Sequence, residues 1–492
     1  METSPSEEVP VRAPGSPGSH LAEVVQVLAG GVILAAFLLV LLGGNFSAAR
    51  PLFLGAMLVA GSAWLVGLWT ARRGVGRLWV IVSLALVMRL VALGSDMGLS
   101  DDLWRYAWEG GLVLEGKSPY AAAPEAPELT AEREAWAGIF ERMNNTEISA
   151  AYPPVTQYFA AAVVWLACGS AGALSPTDSS IEASTALPRV PDAVARVERF
   201  LRVGFALADL LVLWPLVALL RRRGLGDGLA LAWAWSPLVV LEFAGSAHFD
   251  SLGILLLVGA VWALAQGTGG AQRSFGAFLL GLAFLTKYLP LLAAPYLLVR
   301  RRLAHALLAV GVFGASVGLG FYSISSLHGG LRGVFAGLGE YGLRWESWNL
   351  VYRYVEPLFD SLGPRSEGFV DPRRLGRLVV GGLLAWLLLR WFLRRVETTR
   401  AIFWALGAFL ILTPTLHPWY LTWILPFAAL APRGTARAWW WLAAVSPLLY
   451  WPLVEWQARG EWLEPAWSWP LVALPFFLLL GTDLARREHC EA

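Results

Sequence analysis

The chain has 492 residues, 57% apolar and only 15% charged, with a mean hydropathy of +0.57. A soluble domain carries about 25% charged residues, so this composition excludes a soluble or a disordered protein. The net charge of +2 offers no field that would gather nucleic acid, and two cysteines, Cys168 and Cys490, make no disulfide scaffold and fit no metal-site spacing.

Residues 1–20 (METSPSEEVPVRAPGSPGSH) are rich in Pro, Ser and Gly and are expected to form a disordered cytoplasmic tail. They lack the basic start of a signal peptide, and the apolar run behind them is too long for one. Apolar stretches then fall near 24–43, 51–70, 78–94, 153–173, 202–220, 229–247, 248–266, 274–299, 303–326, 377–396, 400–416, 418–431, 436–453 and 468–485. The stretch at 274–299 reads as one span or as two short halves. A bilayer supplies no water to backbone amides, so such segments must be helical. At about 20 residues per crossing, the expectation is an all-α polytopic membrane protein with about 12 to 14 transmembrane helices.

Arg and Lys gather on the cytoplasmic side of membrane proteins. The clusters Arg72–Arg73–Arg77, Arg221–Arg222–Arg223, Arg300–Arg301–Arg302, Arg394–Arg395–Arg400, Arg433–Arg437 and Arg486–Arg487 are therefore expected inside. The chain then divides into N-terminal helices (21–94), an extracytoplasmic loop (95–151), a helical bundle (152–326), a second outer loop (327–376) and C-terminal helices with a short tail (377–492). The short turns near His248 and His417 fall on the outer side as well. One conflict stays open: 153–173 and 202–220 would both run inward, so one is re-entrant or their link doubles back. Long loops between tightly linked spans are uncommon and usually functional. The polar chemistry sits at helix ends on one face, which favours an enzyme working at the outer membrane surface.

The third span is followed by SDMGLSDDLWRYAWEGGLVLEGKSPY. Asp101 and Asp102 are adjacent just past a membrane exit, where Asp is also a common turn or N-cap residue. Trp104, Tyr106 and Trp108 alternate with Arg105 and Glu109, a pattern suited to a short amphipathic helix in the interface. Two carboxylates at a half-apolar surface repel each other, and desolvation raises at least one pKa. One of them can then serve as a general base near neutral pH.

The run D-D-L-W-R-Y-A-W-E-G, followed by G-K-S-P-Y ending at Tyr120, resembles the first outer loop of the GT-C membrane glycosyltransferases. Within them it is most similar to the bacterial polyprenol-phosphate-mannose-dependent mannosyltransferases. The segment N-N-T-E-I-S-A-A-Y-P-P-V-T-Q at 144–157 and the pieces G-S-A-H-F-D (245–250), L-T-K-Y-L-P (285–290) and T-P-T-L-H-P-W-Y (413–420) resemble later motifs of that branch, in the same order. Phe249 stands where the branch has Asn. The resemblance implies a GT-C-like bundle with interfacial helices in its outer loops, and transfer of one sugar from a polyprenyl phosphate to an acceptor hydroxyl. It also implies an Asp base and inversion at the anomeric carbon. Asp102 precedes Tyr106 by the family's Asp-to-Tyr spacing, so Asp102 is the expected base and Asp101 its polar neighbour or substitute.

The remaining candidates each have a plainer reading. Lys287 is one of two lysines among 38 basic residues and sits in an apolar run. It is expected to hold the donor phosphate, or else to snorkel to an interface near Pro290. His417 and Tyr420 are expected near the phosphate, with an aromatic interface belt as the alternative; a protonated His is a good phosphate partner. Arg105 is a further phosphate candidate. Tyr106, Trp108, Glu109, Tyr120, Tyr152, Gln157, His248 and Asp250 are expected to line the substrate site, although His248–Asp250 also reads as a helix cap. Pro153–Pro154 reads as a rigid corner aiming Gln157 and Tyr158 at the site. The segment 340–354 (EYGLRWESWNLVYRY) is expected to form a second interface helix contacting substrate through Trp348 and Asn349. Arg89, Asp209 and Glu242 are expected to be structural ion pairs or pathway residues. No metal site is legible; the acidic pair permits a divalent cation without requiring one.

The expected partners are a polyprenyl-phosphate sugar, a glycan or lipid-linked glycan acceptor and the bilayer. The expected location is a bacterial inner membrane, with the site facing outward. A lipid or sugar-lipid transporter would show a central polar pathway and paired repeats, and neither is evident. An inactive assembly subunit would have lost the acidic pair.

Overall fold

Prolines and tight turns decide how these apolar runs become helices. In the computed structural model, which describes residues 17–174, 192–362 and 371–491 apart from 45, 47, 48, 96, 97, 267, 268, 301 and 433, every regular element is helical. The expectations for 1–16, for the 175–191 link between the two conflicting stretches, and for Arg301 and Arg433 lie outside the described residues. Two isolated bridges, Lys117 with His328 and Ser347 with Thr415, join the loops 95–151 and 327–376 to each other and to the C-terminal part.

Among the described residues six helices are long and apolar enough to cross a membrane: His20–Gly43, Arg50–Ala71, Asp192–Arg222, Leu303–Ser325, Arg373–Leu393 and Ser468–Ala485. Asp227–Ala234 and Pro237–Gly245, bent by 52°, make a seventh if taken as one span, and Leu78–Leu93, Pro154–Cys168, Asp250–Ala265 and Thr398–Leu412 are shorter apolar helices. The apolar stretches thus outnumber helices of full crossing length. Pro237 and a π-turn at Leu241–Gly245 break one stretch. In 274–299 the helix Gly270–Thr286 ends before Lys287, and short turns at Leu289–Leu292 and Pro295–Val299 complete it, which is the two-piece alternative. Large apolar side chains such as Trp79, Leu303, Leu319 and Leu378 are more than 60% exposed, a surface that lipid accommodates and water does not. The chain is an all-α integral membrane protein.

The buried charges of Arg89 and Asp209 are paired, as expected of intramembrane ions. Arg89 grips both carboxylate oxygens of Asp209, at 2.8 and 3.0 Å, and also donates to the Ala234 carbonyl.

The helix after the acidic pair, Asp102–Leu114, departs from expectation. It is not half-exposed, because Leu103 and every residue from Arg105 to Val113 are buried. It packs against Pro154–Cys168 at a glycine: a Cβ on Gly110 would sit 2.6 Å from the Ala160 carbonyl carbon. That atom is backbone and cannot yield, so Gly110→Ala is expected to lower stability by about 1–3 kcal/mol, read as a reduced unfolding temperature in detergent. Trp108 and Trp136 meet edge to face beneath this helix and form a satellite apolar cluster with Phe140.

The segment 340–354 also departs from expectation, since it is not one helix. Ala336–Arg344 ends at Trp345, the chain extends to pair Ser347 with Thr415, and a short turn of helix follows at Tyr352–Val355. Trp348, at φ +47°, is buried in the main core.

Candidate active site

The acidic pair stands at a helix start, where free amides and the helix dipole favour negative charge. The Asp102 amide donates to the Ser100 hydroxyl at 3.2 Å, so neither carboxylate is consumed as a cap. Asp101 Oδ1 accepts from Asn144 Nδ2 at 2.5 Å. Burial, then the adjacent Asp102 charge, pushes the Asp101 carboxyl up to about 7. The two side chains are therefore chemically unequal: near neutral pH, Asp101 is the one that readily holds a proton.

Asp102 Oδ2 faces two groups from other segments. The Tyr152 hydroxyl donates to it at 3.4 Å, and His248 Nε2 lies 3.8 Å away. His248 follows the π-turn, with Ala247 at φ +60° making the break before the helix Asp250–Gln266. Its Nδ1 lies 2.9 Å from Glu242 Oε2, and the Tyr450 hydroxyl donates to Glu242 Oε1 at 2.5 Å. Burial alone would lower the imidazole's proton affinity. The carboxylates of Glu242, Asp102 and Asp250 outweigh it, so His248 is raised above its ordinary value.

The cation sits on the adjoining wall. Lys287 caps its helix in extended conformation and places Nζ 2.6 Å from Asp250 Oδ1, which also accepts from Trp423 Nε1 at 2.5 Å. The ammonium lies over the rings of Tyr420, at 4.3 Å, and Phe249, at 5.2 Å, a favourable cation–π geometry. Trp419 is sandwiched between two imidazoles, His417 at 4.3 Å and His248 at 4.1 Å. The Tyr420 and Tyr341 hydroxyls share a 2.7 Å hydrogen bond. Asp102, Tyr152, His248, Asp250, Lys287, His417 and Tyr420, from five separated stretches of chain, thus form one connected polar cluster. Among the described residues no three His, Cys, Asp or Glu side chains are grouped so as to hold a metal ion.

Residues 15–301 match the family described as alpha-(1->6)-mannopyranosyltransferase, N-terminal domain, and residues 358–480 match the MptB C-terminal domain. The chain belongs to the alpha-(1->6)-mannopyranosyltransferase family. It is also 33% identical over 104 residues to GPI mannosyltransferase 1 of Gibberella zeae, an alignment covering 20% of this chain and 24% of that protein.

Other residues singled out by the sequence have different employment. Arg105 is no free phosphate ligand: its Nε donates to Glu109 at 3.1 Å, and its terminal nitrogens donate to the carbonyls of Asn144, Asn145, Ile148 and Ser149. It ties the 144–149 loop, and hence Asn144, to the acidic-pair helix. Glu109 is consumed by Arg105 and by Gln157 Nε2 at 2.7 Å, so neither Glu109 nor Gln157 reaches substrate through those atoms. Tyr120 donates to the Tyr152 carbonyl at 2.6 Å, Tyr158 packs in the small cluster around Tyr120, and Trp108 is buried against Trp136 and Phe140. Asn349 Oδ1 accepts the Arg353 amide at 2.7 Å, so it and the buried Trp348 support the fold. Tyr106 lies among the rings of Tyr152 and Phe249 and positions them. His417 is pushed down to about 3 by burial and by the charges of Lys287 and His248. It is therefore neutral and offers one N–H, in place of the protonated ring expected from sequence. Sequence reading passed over Asn144, Tyr341, Trp419, Trp423 and Tyr450. Asn144 and Trp419 stand inside quoted motifs, whereas nothing local marks Tyr450.

Proposed function

We propose that the protein transfers mannose from polyprenyl-phosphate mannose to a hydroxyl of a glycan or lipid-linked glycan on the extracytoplasmic face, with inversion and with Asp102 as general base. The observation that carries this reading is the meeting of a carboxylate, an ammonium and two imidazoles at helix ends of a bundle whose outer surface is lipid-facing. A donor anchored in the bilayer presents its phosphate at that depth. Asp102 removes the acceptor proton as the acceptor oxygen bonds to the anomeric carbon, and the bond from that carbon to the phosphate oxygen breaks. The electron pair and the negative charge leave with the lipid phosphate. Lys287 has two N–H groups beyond the one facing Asp250, and these suit the departing oxygens. The negative side chains nearby favour an oxocarbenium-like transition state.

Acceptor entry is supported by a cleft of about 240 Å³ between the outer loops, lined by Tyr120, Glu147, Ser149, Arg332 and Glu340 among others. Tyr120 on its wall donates to the Tyr152 carbonyl, and the Tyr152 hydroxyl in turn donates to Asp102. The test is transfer by protein in lipid nanodiscs, offered radiolabelled mannose on polyprenyl phosphate or on a nucleotide. Product from the lipid donor alone is expected. Product from the nucleotide donor alone would overturn the donor assignment.

A further inference from the structure

Resting on that reading, the structure assigns a role to a residue outside the acidic pair. A buried polar chain runs from the C-terminal part of the bundle to the base: the Tyr450 hydroxyl to Glu242 Oε1 at 2.5 Å, Glu242 Oε2 to His248 Nδ1 at 2.9 Å, and His248 Nε2 to Asp102 Oδ2 at 3.8 Å. Glu242 and His248 are fully buried, and Tyr450 nearly so. A carboxylate in such a place is costly unless it is paired, and among the described residues neither Arg nor Lys pairs with it; its partners are an imidazole and a phenol. Neither buried His248 ring nitrogen has a hydrogen bond of good geometry, and each faces a carboxylate instead. The ring is locked by its stack on Trp419 at 4.1 Å and by the His248 amide donating to the Glu242 carbonyl at 2.9 Å.

We infer that Glu242 is a positioning residue: anchored by Tyr450, it holds His248 as an imidazolium with Nε2 toward Asp102, so that Asp102 and not Asp101 carries the charge of the acidic pair. The pair resists full ionisation because the two carboxylates are adjacent and half-buried. The imidazolium lies 3.8 Å from one oxygen of Asp102, while Asp101 is held by the uncharged Asn144 amide. The remaining charged or titratable groups facing His248 are Asp101 beside Asp102, Asp250 on the following helix, His417 beyond Trp419, and Lys287 next to His417. Asp250 is already matched by Lys287, which leaves Glu242 as the anion that sets the imidazole's charge. No proton passes along the chain in the transfer step: the acceptor proton goes to Asp102 and then to water, and the imidazolium keeps both of its own.

The test is the pH dependence of mannose transfer from polyprenyl-phosphate mannose by the full chain. In Glu242→Gln, loss of the imidazolium makes Asp102 harder to ionise. The acid limb of the rate is therefore expected to move up by about one pH unit, with about a tenfold loss in kcat at mildly acidic pH and recovery at alkaline pH. Donor KM is expected to stay within about threefold, since Glu242 touches no substrate. Adding Glu242→Gln to His248→Gln is expected to move the limb no further than His248→Gln alone. Tyr450→Phe keeps every charge, and is expected to move the limb less but in the same direction; it decides the matter if Glu242→Gln does not fold. Asp209→Asn, which breaks a buried ion pair elsewhere, is expected to lower stability and leave the limb in place. An unmoved acid limb in active Glu242→Gln, or in Tyr450→Phe where Glu242→Gln does not fold, overturns the assignment. Failure of the underlying reading looks different: Asp102→Asn would then be as active as the unmodified protein.

Discussion

Asp102→Asn is expected to lower mannose transfer by about 10²–10⁴-fold while expression, membrane insertion and unfolding temperature stay near those of the unmodified protein. The amide keeps the shape of the side chain and can still accept from Tyr152, but it takes no proton from an attacking hydroxyl. Asp101→Asn is expected to cost far less, no more than about tenfold. Asp101 is the member pushed up to about 7 by burial and by its neighbour, so over much of the working range it is already protonated, and Asn resembles that form. The amide oxygen can also keep the Asn144 contact, 2.5 Å in the acid. The sign of the pH effect follows. Below about 7 Asp101 holds its proton; above it Asp101 ionises, and the donor phosphate is repelled more strongly. Asp101→Asn is therefore expected to remove an alkaline rise in donor KM and leave the acid limb alone. A steady-state pH series on the two variants checks both statements. Equal loss in both would mean that the carboxylates act as an undivided pair.

Lys287→Gln is expected to raise donor KM by about 10- to 100-fold, the worth of one charge-assisted hydrogen bond, with acceptor KM unchanged. Gln can still donate to Asp250, so the buried acid is not left bare. Lys287→Ala is expected to show the same bias toward loss of donor use. It also removes the partner of a fully buried carboxylate that Lys287 meets at 2.6 Å, at a cost of about 3–5 kcal/mol in stability. Comparing the two variants separates phosphate contact from support of Asp250. A parallel rise in donor and acceptor KM for Lys287→Gln would count against phosphate contact.

Much of the cluster was legible because polar residues in apolar stretches are conspicuous. Asp102, His248, Asp250, Lys287 and His417 each interrupt or end such a stretch, and the folded chain brings them together. What failed to show was the use to which a polar side chain is put. Arg105 looked available to a phosphate, yet four of its acceptors are backbone carbonyls 39 to 44 residues away, which no side-chain pattern reveals. Glu242 and Tyr450 are separated by 208 residues, so their pairing exists only in three dimensions. The same holds for the fold. Pro290 marked the place where one apolar run breaks, whereas the run 229–247 read as unbroken and is interrupted at Pro237. The burial of Asp102–Leu114 arises because the following loop folds back over the helix, with Trp136 against Gly111 and the carbonyls of 144–149 on Arg105. Its alternating aromatic pattern is read as an interface helix when that cover is not in view.

Every functional statement above depends on the first outer loop facing away from the cytoplasm, where a lipid-borne sugar and a glycan acceptor meet. Glu128 is exposed on that loop, and the chain has two cysteines of its own, Cys168 and Cys490. With both replaced and Glu128→Cys introduced, a membrane-impermeant maleimide added to intact cells is expected to label the protein as fully as it does after permeabilisation. Labelling only after permeabilisation would place the Asp102 carboxylate on the cytoplasmic side and contradict the account.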